Sequence, residues 1–259
     1  MEDYKSSLES KQKAHKITLK LFGENHPATA DSYESIGKTQ NSMGDYKSSL
    51  ESKQKALEIR LKLFGEDHPA TADIYESIGK TQNGMEDYKS SLESKQKALQ
   101  IRLKLFGEDH LATASSYESI GNTQNGMEDY KSSLECKQKA LKIRLKLFGE
   151  NHPATADIYE SIGMTQNTMK DYKSSLESKQ KALKIGLKLF GEDHSTTADS
   201  YESIGKTQYN MQDYKSTLQS EQKALEIRLK LFGEDHSATV TVMKTLERHK
   251  IAWKITTHH

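Results

Sequence analysis

The phrase Tyr-Glu-Ser-Ile-Gly begins at Tyr33, Tyr75, Tyr117, Tyr159 and Tyr201, so the chain repeats itself every 42 residues (75 − 33). A second phrase, Phe-Gly-Glu-Asp/Asn-His, begins at Phe22, Phe64, Phe106, Phe148, Phe190 and Phe232 in the same register. Such a period overrides the one or two globular domains that 259 residues would ordinarily suggest. A repeat array grows by adding units, not by enlarging one core.

The unit from Pro69 to Phe106 reads as two helices. Pro69 suits a first helical position, where its missing N–H has no intrahelical partner, and Asn83-Gly84 supplies a terminator that tolerates positive φ. The first helix carries the stripe Thr71, Tyr75, Ile78, Gln82 and Met85 at three- and four-residue spacing. Gly79 sits beside that stripe. A glycine in mid-helix costs about 1 kcal/mol against alanine, so its return at Gly37, Gly121, Gly163 and Gly205 implies close approach of a neighbouring helix. Asp87 is placed to cap the second helix and Gly107 to end it. Tyr88, Leu92, Ala98, Leu99, Leu103 and Phe106 are the expected buried face. Glu93 and Lys97, in the favourable i,i+4 order, read as a solvated face, as do Glu51–Lys55, Glu135–Lys139 and Glu177–Lys181. Two amphipathic helices cannot bury their stripes alone, so successive pairs must stack.

Composition agrees with a folded array. Hydrophobic residues make up only 34% and mean hydropathy is −0.84, yet 38 Lys+Arg against 37 Asp+Glu is not the composition of a disordered polyelectrolyte. The net charge of +1, with the signs interspersed, offers no basic field for nucleic acid or an anionic membrane, so neither is an expected partner. No stretch approaches the ~20 apolar residues of a membrane span. Cys136, the single cysteine, stands where other copies have Ser52, Ser94 and Ser178 and reads as a tolerated serine replacement in a reducing, cytoplasmic compartment.

Tyr75-x-x-Ile78-Gly79, followed by Ala98, resembles the tetratricopeptide repeat. The longer period and the phrase Ala-Leu-Glu-Ile-Arg-Leu-Lys-Leu-Phe-Gly-Glu-Asp-His-Pro-Ala-Thr-Ala are similar to the 42-residue variety found in kinesin light chains and in nephrocystin-like, NTPase-linked repeat proteins. Against the usual pattern, Gln82 replaces an aromatic, Ser91 an alanine and Lys95 a phenylalanine. Lys95 is expected to lay its stem on the core with its ammonium in water. The resemblance implies an all-α fold, a right-handed α-solenoid of stacked helix-turn-helix repeats, whose first helices line a concave groove for peptide segments of partner proteins. By resemblance, kinesin heavy chain and cargo adaptors are the family's examples of partners, and microtubule association is the corresponding location. The heptad region with which kinesin light chains hold the heavy chain does not occur here.

On this basis residues 1–22 are the unpaired second helix of a partial repeat. Five pairs follow at about 26–64, 68–106, 110–148, 152–190 and 194–232, together filling 23–232. Residues 233–259 form a capping helix and a tail that ends in His258-His259. Trp253 is expected to cover the end of the last core. At the other end Tyr4, Leu8, Leu19 and Phe22 would face solvent, which suggests either a piece of a longer product or another domain or protomer packed there, the last giving an oligomer through the uncapped N-terminal helix.

Catalysis has no visible address: no phosphate-binding glycine loop, nucleophile elbow or His-Glu-x-x-His occurs. No cofactor or metal is implied. The Asp67-His68, Asp109-His110, Asn151-His152 and Asp193-His194 loops lie two helices apart. With helices packing at about 8–10 Å, they cannot share an ion that needs ligands within about 2.5 Å. The face of the first helix opposite its stripe carries Asp73, Glu76, Lys80 and Asn83. Along the chain the same face presents Glu118, Asn122 and Asn125, then Asp157, Glu160, Met164 and Asn167, then Glu202, Lys206 and Tyr209. The recurrent acids would select basic or amide-rich extended segments, with Met164 and Tyr209 as apolar anchors. A solvated helix face fits the same charge pattern. The expected function is a non-catalytic interaction scaffold or adaptor. Two alternatives stay open: the sensor arm of a larger NTPase-linked signalling protein, and a self-assembling structural element.

Overall fold

The computed structural model describes residues 2–257, and twelve helices with no strand are found among the described residues. They are α1 (Glu2–Phe22), α2 (Pro27–Ser42), α3 (Tyr46–Phe64), α4 (Pro69–Gly84), α5 (Tyr88–Phe106) and α6 (Leu111–Gly126). There follow α7 (Tyr130–Phe148), α8 (Pro153–Thr168), α9 (Tyr172–Phe190), α10 (Ser195–Asn210), α11 (Tyr214–Phe232) and α12 (Ser237–Thr257). The helices form two compact units that divide inside α7, one up to Cys136 and one from Lys137. In the first, each helix from α1 to α6 packs on the next; in the second, each from α8 to α12 does so. This is the all-α solenoid architecture that the period implies. The closing His258-His259 lies outside the described residues.

Local chemistry sets the helix ends. His68 caps α4, its ring Nδ1 accepting from the Ala70 N–H at 3.1 Å, and its ring stacks on Phe64 with centroids 4.3 Å apart. Pro69 follows at the first position. Asp87 caps α5 by accepting from the Ser90 N–H, and Gly107, at φ 80°, ends it. The turn after α4 departs from expectation: Glu86, not Gly84, takes the positive φ of 61°. Gly84 is small for another reason, since a Cβ there would stand 2.7 Å from Tyr46 Cε1. Gly79 answers to close packing as the sequence implied. Its Cβ would stand 2.7 Å from Lys95 Cγ and 3.1 Å from the Ser91 carbonyl oxygen, and its own carbonyl accepts from Ser91 Oγ at 2.8 Å.

The apolar core is thin and made of small residues. Ala30, Ala56, Ile59, Ile74 and Ile78 form one cluster, and Ala72, Ala98 and Ile101 another. In the second unit Ile158, Ile162, Ile185 and Ile204 are buried likewise. Full burial of an isoleucine stabilises by about 1.5–3 kcal/mol. Two expected core positions are not core: Met85 is 43% exposed and Phe106, stacked on the His110 cap, is 40% exposed. Ile74 and Ile101, outside the expected stripes, are buried instead. Trp253 is 39% exposed and lines a cavity together with Leu218 and the buried Leu246. On α1, Tyr4 and Phe22 are exposed, while Leu8 and Leu19 are half-buried.

Polar side chains fill the rest of the interior. Lys95 is 3% exposed, so its ammonium is not in water as the sequence suggested. It donates to the Ser119 carbonyl at 3.2 Å and to Thr123 Oγ1 at 2.6 Å, crossing from α5 to α6. Lys53 does the same with Ser77 and Thr81, and Lys179 with Ser203 and Thr207. Burial, which disfavours the charged form, lowers the pKa of Lys53 and of Lys95 from 10.5 to about 8. The pattern is inverted at the last pair. Glu221 stands at the lysine position and meets His249 Nδ1 at 2.6 Å, where earlier copies have threonine.

Candidate functional site

The exposed face of each first helix is built on an arginine anchor. From α3, Arg60 reaches back to α2, donating to Asp31 at 2.8 Å and Glu34 at 2.7 Å, and forward to the Ala70 carbonyl on α4 at 3.1 Å. Arg102 on α5 repeats this with Asp73 at 2.8 Å and Ser116 Oγ at 2.7 Å, and lies 3.8 Å from Glu76. Arg228 on α11 pairs with Asp199 and Glu202 on α10. The aspartate in each case is exposed; Arg60 and Arg102 are buried and each ties three helices together beneath a charged face, whereas half-buried Arg228 joins α11 to α10. Burial pushes the Glu34 carboxyl up, but hydrogen bonds and charge from Lys38 and Arg60 more than offset it and leave its pKa lowered. At Glu202 burial prevails over Arg228 and the pKa is raised.

A cavity of about 560 Å³ opens over this face in the first unit, lined among others by Lys38, Arg60, Asp73, Glu76 and Lys80. A second, of about 460 Å³, lies in the last pairs and is lined by Glu202, Lys206, Tyr209, Glu221 and His249. A third, of about 270 Å³, holds Asp157, Glu160 and Asp199 beside Gly186. Eight of the sequence-derived candidates thus line cavities: Asp73, Glu76, Lys80, Asp157, Glu160, Glu202, Lys206 and Tyr209.

The remaining candidates fall outside these cavities. Asn122 and Met164 are exposed, Met164 at 59%, and Glu118 is half-buried. Asn167 accepts from Asn210 Nδ2 at 3.2 Å. Asn83 and Asn125 each bury an Oδ1 that has no hydrogen-bond partner. Tyr209 is half-buried between two rings, stacked on His249 at 4.1 Å and edge-on to Tyr214 at 5.6 Å. The recurrent glutamates are more enclosed than a solvated face would make them, since Glu34 and Glu76 are buried and Glu76 accepts from Ser119. Sequence reasoning passed over the arginines and Gly186, and of the buried lysines it considered Lys95 alone, with its ammonium in water. The signal was present in the recurrence of Arg60, Arg102, Arg144 and Arg228 at the repeat period, broken once by Gly186.

Among the described residues no group of three or more His, Cys, Asp or Glu could hold a metal ion, and no helix is long and apolar enough to cross a membrane. The caps explain the histidines: His152 accepts from the Ala154 N–H at 3.1 Å and stacks on Phe148.

A family model described as tetratricopeptide repeat matches residues 1–62, 40–104, 81–146 and 120–188, and a second of the same description matches 197–238. A search of curated proteins gave no match by sequence. Among solved structures, BtubC (BKLC) from P. vanneervenii is similar with a TM-score of 0.75 at 15% identity, over 90% of this chain and 92% of that one. A Podosopora anserina protein of nearly identical TPR-like repeats, provisionally designated a kinesin light chain, is similar with a TM-score of 0.71 at 12% identity, over 80% and 98%. Aspartyl phosphate phosphatase F from Bacillus subtilis is similar with a TM-score of 0.72 at 14% identity, over 91% of this chain but 58% of that one. At these identities the likeness concerns the fold alone.

Proposed function

The chain belongs to the tetratricopeptide repeat family, and from that premise we propose that it is a non-catalytic scaffold that captures extended peptide segments of partner proteins along the face of its first helices. The family's fold is typical of protein–protein interaction. The observation that carries the finer reading is the 560 Å³ cavity, where exposed Asp73 and Lys80 flank each other above the Arg60 and Arg102 anchors. Their opposite charges and the polar floor suit a segment whose backbone amides and charged side chains need partners.

Peptides selected from a display library against the full chain test it. Asp73→Lys with Lys80→Glu should weaken a selected peptide at least tenfold, while Glu93→Lys on the outer face of α5 leaves it unchanged. Equal affinity for all three proteins would remove the groove reading. A kinesin light chain-like role, with its cytoplasmic, microtubule-associated setting, belongs to the same proposal. It is supported by the 42-residue period and the shared fold. Purified kinesin heavy chain segments that fail to bind the chain would rule it out.

Self-assembly is favoured by one specific observation: α1 exposes Ile17, Leu21 and Phe22, with Leu21 at 68%. Mass that rises with concentration in light scattering and is lost with Leu21→Asp would support it.

A further inference from the structure

The arginine anchor is missing from one pair. Helix α9 has Gly186 where α3, α5 and α11 have Arg60, Arg102 and Arg228, and nothing lies within 4 Å of a Cβ built there. The partners that the absent side chain would use are still in place. Arg102 draws on Asp73, Glu76 and Ser116; two repeat periods on (186 − 102 = 84), Asp157, Glu160 and Ser200 stand in the same relation to Gly186. All three line the cavity of about 270 Å³, with Thr196 and Asp199 beside them. That volume exceeds the roughly 30 Å³ share of one water several times over.

The acids are also poorly satisfied from within. Glu160 Oε1 accepts from Ser203 Oγ, but Oε2 is closed off from solvent and has no hydrogen-bond partner. Asp199 is engaged by Arg228 on the far side. Lys179 contributes charge near Glu160, yet its ammonium is directed to the Ser203 carbonyl and Thr207 at 2.9 Å each. A buried carboxylate oxygen without a donor is uncommon in folded proteins and usually has a reason. In the sibling pairs a planar, always-charged guanidinium occupies the equivalent space; Glu76 Oε2 also lacks a hydrogen-bond partner there, with Arg102 3.8 Å away, so what sets the Gly186 pair apart is the open space beside its acids.

The geometry points to the Gly186 cavity as a binding site for a guanidinium group supplied from outside the chain, held by Asp157 and Glu160 with the Ser200 hydroxyl as a third partner. Two sources share that chemistry: an arginine side chain of a bound peptide, or a free guanidino compound. The first rests on the peptide-capture reading given above; the cavity's preference for guanidinium does not.

Titration of the full-length protein with N-acetylarginine amide, followed by NMR shifts or calorimetry, tests the site without any partner. Saturable binding is expected, with N-acetyllysine amide at least tenfold weaker, because a point ammonium cannot make the parallel pair. Gly186→Arg places the chain's own guanidinium in the cavity and should abolish binding; Asp157→Asn, an exposed and nearly isosteric change, should weaken it at least fivefold. A blocked peptide Ala-Ala-Arg-Ala-Ala then separates the sources. Binding at least tenfold tighter than the blocked arginine assigns the site to a peptide, and equal binding assigns it to a free guanidino compound. No saturable binding of the arginine amide, or equal binding by the native chain and Gly186→Arg, overturns the proposal. Neither result bears on Asp73 and Lys80, so the groove reading is judged separately.

Discussion

Lys95 Nζ lies 2.6 Å from Thr123 Oγ1, so a cation 3% exposed ties α5 to α6 in the interior of the array. Its pKa is lowered by burial from 10.5 to about 8, against the opposing pull of Glu76 and with a smaller contribution from Lys80. The folded value lies below the unfolded one, so between about pH 8 and 10.5 the unfolded chain holds the extra proton and stability rises with pH. At 1.36 kcal/mol per pKa unit the relief at this site is about 3 kcal/mol. Lys95→Met should therefore be neutral or stabilising at pH 7, by up to about 3 kcal/mol, and should flatten the rise above pH 8. Urea midpoints of the two proteins from pH 7 to 10.5 measure this. Parallel curves would mean that the ammonium is not desolvated.

The exchange of roles at Glu221 and His249 makes a double-mutant cycle informative. Glu221→Lys alone removes the acceptor that faces His249 and puts an ammonium in its place, and His249→Thr alone leaves a buried carboxylate with a weaker donor. Made together, the two changes rebuild the Lys179–Thr207 arrangement. Each single variant should lose stability and the double variant should recover most of it, giving an interaction energy of about 0.5–3 kcal/mol. Additive losses in chemical denaturation would show that the two residues are not coupled.

The helical glycines differ in the space around them. A Cβ at Gly163 would stand 2.7 Å from Lys179 Cγ and 3.2 Å from the Ser175 carbonyl oxygen, whereas at Gly205 its nearest neighbour is Glu221 Cγ at 3.3 Å. Gly163→Leu should cost about 1–3 kcal/mol by overpacking. Gly205→Ala meets nothing nearer than that side-chain carbon, its backbone neighbour, the Thr217 carbonyl oxygen, lying at 3.7 Å, and mid-helix alanine is better than glycine by about 1 kcal/mol, so this variant should be close to neutral. Thermal melts of both variants decide. Equal losses would place the close helix approach somewhere other than the backbone contact at Ser175.

The helix pairs were legible because Pro69, Asp87 and Gly107 mark their ends through local rules that need no tertiary partner. The interior was harder to read. A lysine on a helix stripe ordinarily keeps its head in water, and only the arrival of Thr123 from 28 residues further along, on another helix, makes Lys95 a core residue. Phe106 was misplaced for the opposite reason. Its ring finds a local partner in His110, four residues on, and so does not need the core. On the candidate face the spacing of Asp73, Glu76 and Lys80 was visible, but not that Arg102 draws on the two acids from beneath.

Cys136 gives the last prediction. Ser52, Ser94 and Ser178 each donate to a glutamine Oε1 at 2.8 Å, to Gln40, Gln82 and Gln166 in turn. In the copy that carries Cys136 the matching Gln124 Oε1 is buried without a hydrogen-bond partner. A thiol is a weak donor and its larger sulfur holds the glutamine further off. Cys136→Ser should restore the missing bond and raise stability by about 0.5–1.5 kcal/mol, the usual net value of one buried hydrogen bond. The control is Ser94→Cys, which transfers the defect to the neighbouring copy and should lower stability by a similar amount. If both variants unfold at the same urea concentration as the parent, the serine–glutamine bond contributes nothing and the cysteine is a neutral replacement in energy as well as in sequence.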